Sequence, residues 1–464
     1  MQNTRLHTLF ATLSKKELRD LRKFISSPFY NLRQDVVDLF DLVENCMKEN
    51  QPLPTKETAF QQIYGKTVPY DDHKVRMAMS FLLKLVEQFL VHESLFSDQV
   101  IVKTRLAAIY RQRNLPKHFE RTIREAKNML EKEGERNASF YQQDQELLLE
   151  EYRFQSAQSR TADHNLQAIT DNLDVAYFSQ KLRQACLLLS HQAVYKKEYR
   201  FGLLEAILEQ VEQEGLLKVP AISLYYFCYK SLTRSDEPAY FQQLKKLLVE
   251  EGGKFPKNEI ADLSLLAINF CIKKYNEGEQ TYLRDEFDLF RDGLEKGYLL
   301  NDGILSRFTY RNVVATGLAL KEYGWVEGFI HQFKNNLEEG SRESMFSFSL
   351  ARLEFERKNF GVSLQLLQKS EYRDLLLNLA AKGLVLKIYY ETAEYDALHS
   401  HLAAMERFIR RKNIIGYHRE HYLKTIQFTR KLMETMDNAD LAVLKQEIES
   451  EKAVAEKGWL LAQC

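Results

Sequence analysis

The fragments "RLEFERKNF" (352–360) and "KIYYETAEY" (387–395) repeat one residue pattern at a distance of 35 positions. Each begins with a basic residue, has an aromatic residue and then a glutamate in its first five positions, and ends in a second aromatic residue. The matching pairs are Arg352 and Lys387, Phe355 and Tyr390, Glu356 and Glu391, and Phe360 and Tyr395. A period of this length is typical of helical hairpins that stack as repeats.

Aromatic residues at turn-like positions recur over a longer part of the chain. They lie 41, 42, 43, 35 and 35 residues apart, at Tyr199, Tyr240, Tyr282, Trp325, Phe360 and Tyr395. Apolar residues recur at steps of three and four almost everywhere, and the sequence shows no alternation of period two. We therefore predict an all-α protein, with at least five antiparallel helix pairs over residues 180–436.

Small residues flank three of these aromatic residues at constant offsets, nine positions before and three after. The small residues are Ala351 and Ser363 around Phe360, Thr316 and Gly328 around Trp325, and Ser190 and Gly202 around Tyr199. This pattern resembles the tetratricopeptide repeat, in which small residues let the two helices of a hairpin approach closely. The resemblance implies a tetratricopeptide-like α-solenoid in which Ala351, Ser363 and Gly328 are buried. The whole chain, from "SSPFYN" to "KGWLL", is also similar to an uncharacterised bacterial family of unknown function.

The resemblance also implies a binding surface, because the first helix of each tetratricopeptide hairpin lines the concave face of the solenoid. Carried over from Phe360 and Tyr395, this groove would contain Arg352, Phe355, Glu356, Lys387, Tyr390 and Glu391. Aromatic side chains there would supply buried area to a peptide partner, and the charges would set its register. In that case Phe355 and Tyr390 are at least partly exposed. The alternative is that each base and the glutamate four positions later form a simple surface pair.

The chain is predicted to have three parts. Residues 1–98 form an N-terminal helical module, residues 99–436 form the solenoid, and residues 437–464 form a C-terminal capping helix. The polar, non-periodic stretch 156–165 predicts a joint within the solenoid.

Helix signals in the N-terminal module are strong. Ser14 with Glu17 matches a capping box that opens a helix over about 15–25. Asn31 can cap the next helix. A short helix over 56–64 stops at Gly65, and Asp71 or Asp72 starts a long one. We expect this long helix to pack in the core. It is a poor candidate for a DNA-recognition helix, because its first residues are acidic and its body is apolar.

Composition excludes several classes of function. The 464 residues contain 65 basic and 65 acidic side chains, so no global charge attracts nucleic acid or anionic lipid. The five cysteines are far apart and are interpreted as free thiols of a reducing compartment. Neither a signal peptide nor a membrane-spanning run is present in the sequence, and a cytoplasmic location is expected.

One segment, 405–431, has a marked local excess of positive charge. Its bases are Arg407, Arg410, Arg411, Lys412, Arg419, Lys424, Arg430 and Lys431, against only Glu406 and Glu420. Tyr417, Tyr422 and Phe428 are interleaved with them. This composition fits a nucleic-acid surface, an acidic protein partner or a solvated outer face. We expect the last of these, with Tyr422 packed inward.

The sequence contains no catalytic or nucleotide-binding signature. His418 and His421 are close enough on one helix to share a metal, but they lack an obvious third ligand, and solvated histidines are the simpler interpretation. No cofactor is expected. The sequence therefore favours a non-enzymatic scaffold or adaptor that binds a protein or peptide, with nucleic-acid binding through residues 405–431 as the alternative.

Overall fold

The structure, a computed structural model, describes residues 1–49, 51–158, 164–195, 197–411, 416–435, 438–451 and 453–464. These residues form 23 α-helices and one ribbon of two short strands. The all-α prediction is confirmed, and consecutive helices pack in pairs as in a helical-repeat protein. Half of the predicted joint at 156–165, residues 159–163, lies outside the described residues.

The chain divides into two compact units, Met1–Tyr177 and Phe178–Cys464. The helices of the first unit are α1 (Arg5–Phe10), α2 (Lys15–Ile25), α3 (Gln34–Lys48), α4 (Lys56–Tyr64), α5 (Asp72–Ser97), α6 (Gln99–Gln112), α7 (Pro116–Glu133) and α8 (Ala138–Gln158). Helix α9 (Leu166–Tyr195) contains the boundary between the units.

The first unit contains two hydrophobic clusters. One joins buried residues between Leu6 and Phe89, and the other joins buried residues between Val100 and Leu147. This separation agrees in position with the predicted module 1–98, although the domain boundaries themselves stay predictions. Helix α2 has the predicted capping box, in which the Ser14 side chain accepts from the Glu17 backbone and Glu17 accepts from the Ser14 backbone.

Asn31 does not cap the third helix, contrary to our prediction. The N-cap residue of α3 is Arg33, which makes no side-chain capping bond. Asn31 is buried, and its amide donates to the backbone carbonyls of Ile25 and Arg33. Its side chain therefore satisfies the backbone between α2 and α3, which is the other common use of asparagine in a connection.

The second unit contains the repeats. Its helices after α9 are α10 (Leu204–Gln213), α11 (Pro220–Thr233), α12 (Pro238–Glu251), α13 (Lys257–Asn276), α14 (Tyr282–Glu295), α15 (Arg307–Ala319), α16 (Tyr323–Gln332), α17 (Glu339–Glu356), α18 (Phe360–Gln368), α19 (Leu375–Glu391), α20 (Tyr395–Arg411), α21 (Gly416–Glu434), α22 (Asn438–Ser450) and α23 (Lys457–Gln463). Five hairpins, from α11/α12 to α19/α20, pack in sequence. The region 437–464 forms two helices where the sequence predicted one.

Phe360 and Tyr395 occupy equivalent places, because each is the first residue of the second helix of its hairpin. Trp325 is the third residue of α16, and Tyr323 takes the equivalent first position. Tyr199 precedes α10 by five residues. The aromatic spacing therefore located the later hairpins well and the earlier ones approximately.

A shared turn explains the regular spacing of the hairpins. The residue after the C-cap has a positive φ in four hairpins: Gly278 (105°), Lys321 (60°), Lys358 (64°) and Ala393 (56°). The following residue donates its backbone N–H to the carbonyl five residues earlier, as in Glu394 to Tyr389 at 2.9 Å. This is the Schellman arrangement, which ends a helix and reverses the chain.

Glycine is the residue that adopts a positive φ most easily, and only one of these four turns, that of Gly278, has a glycine there. Replacing Ala393 with glycine should raise the free energy of unfolding by about 0.5–1 kcal/mol, because glycine adopts this conformation without steric cost. The reverse change, Gly278→Ala, should lower it by about 1 kcal/mol. Urea unfolding measures both. Ala404→Gly, at an exposed position inside α20, is the control and should destabilise; equal losses in Ala393→Gly and Ala404→Gly would contradict the turn geometry.

The ribbon is a feature that the sequence analysis missed. Strands β1 (Leu300–Asn301) and β2 (Ile304–Leu305) pair antiparallel between α14 and α15. The two residues between them, Asp302 and Gly303, both have positive φ values of 49° and 79°. Asp-Gly is the preferred sequence of a type I′ hairpin turn, so the signal was present in the sequence.

Close helix contacts occur at two of the three predicted small positions. Ala351 and Ser363 are both fully buried, and the Ser363 hydroxyl donates to the Ala351 carbonyl at 2.7 Å. Gly328 is exposed, and nothing lies near the position of a Cβ there, so this prediction is wrong. The close approach in that hairpin is made by Gly317, where a Cβ would lie 2.4 Å from Cγ2 of Val326.

A buried carboxyl group joins two adjacent hairpins. Glu286 of α14 is 3% exposed and accepts a hydrogen bond of 2.7 Å from the Thr316 hydroxyl of α15. Burial raises the pKa of Glu286, and the Thr316 bond offsets this only in part. The folded protein therefore holds this proton more tightly than the unfolded chain, so the stability contributed by this group falls as pH rises above the ordinary glutamate range.

Glu286→Gln should remove this penalty, because the amide keeps an oxygen acceptor for Thr316 without a charge. We expect the variant to be more stable than the wild type at pH 7.5, by on the order of 1 kcal/mol, with a smaller difference at pH 4.5. Urea unfolding at both pH values measures this. Glu295→Gln on the exposed side of the same helix is the control; a stability loss in Glu286→Gln that is equal at both pH values would refute the expectation.

All five cysteines are free thiols, with Cys186, Cys228 and Cys271 buried. Among the described residues, no helix combines the length and apolar character needed to cross a lipid bilayer.

Candidate partner-binding face

The first helices of three consecutive hairpins pack side by side, α15 against α17 and α17 against α19. The first-helix face is defined here as the surface formed by Arg307, Phe308 and Arg311 of α15, Arg352, Phe355 and Glu356 of α17, and Lys387, Tyr390 and Glu391 of α19. It includes all six residues of the predicted groove.

A cleft lies at the end of this face where the three helices begin. Its volume is about 380 Å³, and it is lined by Arg307, Phe308, Arg311, Glu338, Gly340, Ser341, Ser344, Met345, Glu371, Arg373, Asp374, Leu376 and Leu377. Three arginines and three carboxylates line it, and Arg307 pairs with Asp374 at 3.3 Å. The lining therefore mixes apolar surface with charges of both signs, as protein-binding surfaces commonly do.

Phe308 is the most exposed large hydrophobic side chain of this cleft. Its ring is 59% exposed, with the Arg307 guanidinium 5.0 Å from the ring centre. A second cleft of about 440 Å³ borders the same ring and includes Ile304 of the ribbon. An exposed phenylalanine between two clefts can supply apolar contact area to a partner.

The other end of the face is covered by the C-terminal helix of the same chain. Glu456 pairs with Lys387 at 2.7 Å, and the Trp459 indole N–H donates to Oε1 of Glu391 at 3.0 Å. The Gln463 amide donates to the same oxygen at 3.1 Å. The rings of Trp459 and Tyr390 meet edge to face with centres 5.4 Å apart.

The exposure expected for the two groove rings is only partly observed. Phe355 is 5% exposed, so the prediction that it is available to a partner is wrong. It packs under the Lys387 ammonium, which lies 5.0 Å from the ring centre, and against the ring of Phe360. Tyr390 is partly exposed but belongs to the hydrophobic clusters of α19 to α23. Truncating Tyr390 would therefore cost stability.

The alternative of simple surface pairs within one helix also fails for Lys387 and Glu391. Lys387 pairs with Glu456, whereas Glu391 contacts Lys358 at 3.6 Å and accepts from the C-terminal helix. Long-range contacts, rather than the spacing of four residues, therefore determine the partners of these two charges. Glu356 is exposed.

A group of charges occupies the middle of the face. Burial lowers the pKa of the Arg352 guanidinium and Arg311 lowers it further, whereas Glu456 and Glu356 raise it. Burial raises the pKa of Tyr422 to about 12, and Arg311 and Arg352 act against this change. Among the described residues, no carboxylate oxygen lies within 4.0 Å of the Arg311 or Arg352 guanidinium.

Glu456 is the acid that this group of bases surrounds. Burial raises the pKa of its carboxyl group, but the Lys387 ammonium and Arg352 outweigh this effect and hold the pKa below its usual range. Glu456 itself has a left-handed backbone conformation, with a φ of 56°, which is uncommon for a residue other than glycine. The backbone is therefore locally strained at the residue whose carboxylate contacts the face.

Four of the eight bases of the predicted patch are paired with acids. Arg410 and Arg430 both contact Glu406 at 2.8 Å, and Lys424 contacts Glu451 at 3.0 Å. Lys431 also pairs with Glu447. The patch residues Arg407, Arg411 and Arg419 are exposed.

Two of the aromatic residues of the basic segment face inward. Phe428 is buried, and Tyr422 packs in the cluster around α19 to α21. Lys412 and the side chain of Tyr417 lie outside the described residues. This arrangement fits the expected solvated face better than a nucleic-acid surface, and the nucleic-acid prediction itself remains untested.

His418 and His421 lie on α21. Burial lowers the pKa of His418, and His421 and Arg311 add to the effect. Within the described part of the chain, no group of three or more histidine, cysteine, aspartate or glutamate side chains is arranged to hold a metal ion.

Comparisons with known proteins give no assignment. No protein-family model matches the chain, and no characterised protein and no solved structure is significantly similar to it.

Two parts of the face were missed from the sequence. The cleft of Arg307, Phe308 and Arg311 depends on three helices that begin far apart in the chain. A C-terminal helix was predicted, but its contact with this face was not; that contact could have been suspected, because Glu456, Trp459 and Gln463 have the spacing i, i+3, i+7 of one helix face.

Proposed function

We propose that this protein is a non-enzymatic scaffold or adaptor that binds a protein partner, through a helix or extended peptide, on its first-helix face. One observation carries the proposal. The sequence predicted that Lys387, Tyr390 and Glu391 bind a peptide, and all three contact the C-terminal helix or its N-cap residue. Side chains that hold one helix by an ion pair, a ring contact and a hydrogen bond are chemically suited to hold another.

The open end of the face supports the same proposal. Phe308 offers a largely exposed ring in a cleft large enough for one or two side chains of a partner. The mixed charges around it can form hydrogen bonds and ion pairs that orient a peptide. The resemblance of these hairpins to the tetratricopeptide repeat adds weight, because the first helices carry ligands in that family.

Site-specific photo-crosslinking tests the proposal. A photoreactive phenylalanine analogue, p-benzoylphenylalanine, is placed at residue 308 of the full chain, which is then irradiated in a lysate of the cells that produce it. We expect a discrete adduct with one protein. The matched control carries the analogue at Val362, which is 48% exposed on the second helix α18.

The contrast between the two positions decides the result. An adduct at residue 308 that is absent at residue 362, and that Arg311→Glu abolishes, supports the first-helix face as the binding surface. Adducts of equal yield at both positions, or an adduct only at residue 362, would overturn the proposal.

A further inference from the structure

The seven-residue helix α23 contacts the first-helix face through one side only. Glu456, Trp459 and Gln463, spaced by three and four residues, make all the polar contacts with α19 described above. Leu460, between them in sequence, is fully buried in a hydrophobic cluster with Leu432, Leu444 and Ile448. The helix therefore presents a polar and aromatic recognition side to the groove residues.

Charge on the face favours an acidic occupant. Without Glu456, Lys387 would lose its ion-pair partner, and Arg352 would lose one of the two acidic charges that act on it. Lys387 is only 12% exposed, and a buried ammonium without a counter-charge is strongly disfavoured. The face therefore needs an acid at the position of Glu456, whether this acid comes from the chain or from a partner.

We infer that residues 456–463 are an intrachain occupant of the partner site. The partner is an amphipathic helix that carries an acidic residue and, three positions later, a large aromatic residue. This helix replaces Glu456 and Trp459 on α19, and its acidic residue pairs with Lys387. The inference rests on the proposed function for the existence of a partner, and it adds the partner's chemistry and a competition within the chain.

Competition follows from the short length of α23. A helix of seven residues is not stable by itself, so its position depends on the contacts it makes. Residues 456–463 are tethered to the face and therefore act at an effective concentration of about 1 mM. A partner binds only if its affinity and concentration together outweigh those of this segment. Weakening the intrachain contact therefore raises the apparent affinity of any competing helix.

The test uses a fluorescent synthetic peptide of residues 451–464, with Cys464→Ser, added to the full-length protein. Fluorescence anisotropy measures its affinity for the wild type and for two variants that weaken the intrachain contact, Trp459→Ala and Glu456→Lys. We expect both variants to bind the peptide at least tenfold more tightly than the wild type. A scrambled peptide should not bind any of them.

A charge swap locates the contact. Adding Lys387→Glu to Trp459→Ala should reduce the affinity at least tenfold, and a peptide with Glu456→Lys should restore it. Lys431→Glu, which reverses a base paired with Glu447 on α22 instead, is the matched control and should leave the affinity unchanged.

Several outcomes would overturn the inference. These are equal affinity for the wild type and both variants, no binding to either variant when its circular dichroism is native, and no effect of Lys387→Glu. If a partner is crosslinked at residue 308 and any of these results is also obtained, the inference is wrong but the proposed function stands. Peptide binding as expected, with no adduct at residue 308, supports the inference and counts against the proposed function.

Discussion

Replacing Gly317 with alanine should lower the free energy of unfolding by about 2–3 kcal/mol, a large effect for one methyl group. The added Cβ would lie 2.4 Å from Cγ2 of Val326 and 3.3 Å from the Phe287 ring. Val326 is fully buried and Phe287 is 1% exposed, so neither can move without disturbing the contact between α14, α15 and α16. Overpacking in such a core forces side chains or helices apart.

Gly328→Ala is the matched control, because the same change is made in the next helix of the same hairpin. Nothing lies within 4 Å of a Cβ at that position. Alanine should therefore stabilise α16 by about 0.5–1 kcal/mol through its better helix propensity. Urea denaturation of both variants tests the packing. A Gly317→Ala variant as stable as Gly328→Ala would show that the helices are not in close contact at this point.

Replacing Trp459 with alanine should lower the free energy of unfolding by about 2 kcal/mol. The change removes the ring contact with Tyr390 and the hydrogen bond to Glu391, and it leaves a gap between two hydrophobic clusters. The effect is smaller than for a fully buried tryptophan because the ring is partly exposed. Hydrogen exchange should also become faster in α23 while it stays unchanged in α11 to α14.

Trp459→Phe separates the two contributions. Phenylalanine keeps an aromatic contact with Tyr390 but has no N–H to donate to Glu391, so the loss should be nearer 1 kcal/mol. Chemical denaturation compares the two variants. If Trp459→Ala is as stable as the wild type and its α23 exchanges at the same rate, the C-terminal helix is not held by this contact.

Local signals predicted the helices and their pairing. The Ser14 and Glu17 capping box, the stop at Gly65 and the period of 35 residues between Phe360 and Tyr395 each depend on residues close in sequence. Such signals act within one helix or one turn, so they can be recognised without knowing the fold.

The position of each close contact could not be predicted in the same way. In the α15/α16 hairpin the second helix begins two residues before Trp325, so Gly317 and Val326 meet, and Gly328 faces solvent. Counting offsets from an aromatic residue cannot detect such a shift, because it depends on where the preceding turn places the helix. The positive φ at Lys321 fixes that turn without a glycine to reveal it.

The binding face was predicted in part for a similar reason. The six groove residues were found from their repetition, but their neighbours come from distant parts of the chain. Lys387 and Glu456 are separated by 69 positions, and Glu391 and Gln463 by 72. Contacts of this kind depend on the packing of whole helices, so periodicity alone could not show that α19 already carries a helix.

The most direct test of the central claim is hydrogen exchange of the full-length protein with and without the partner captured at residue 308. If the first-helix face is the binding surface, exchange should slow in α15, α17 and α19 and remain unchanged in α16, α18 and α20. Exchange in residues 456–463 should become faster as the partner replaces this segment. Slower exchange confined to the second helices, with no change in α15, α17 and α19, would contradict the account.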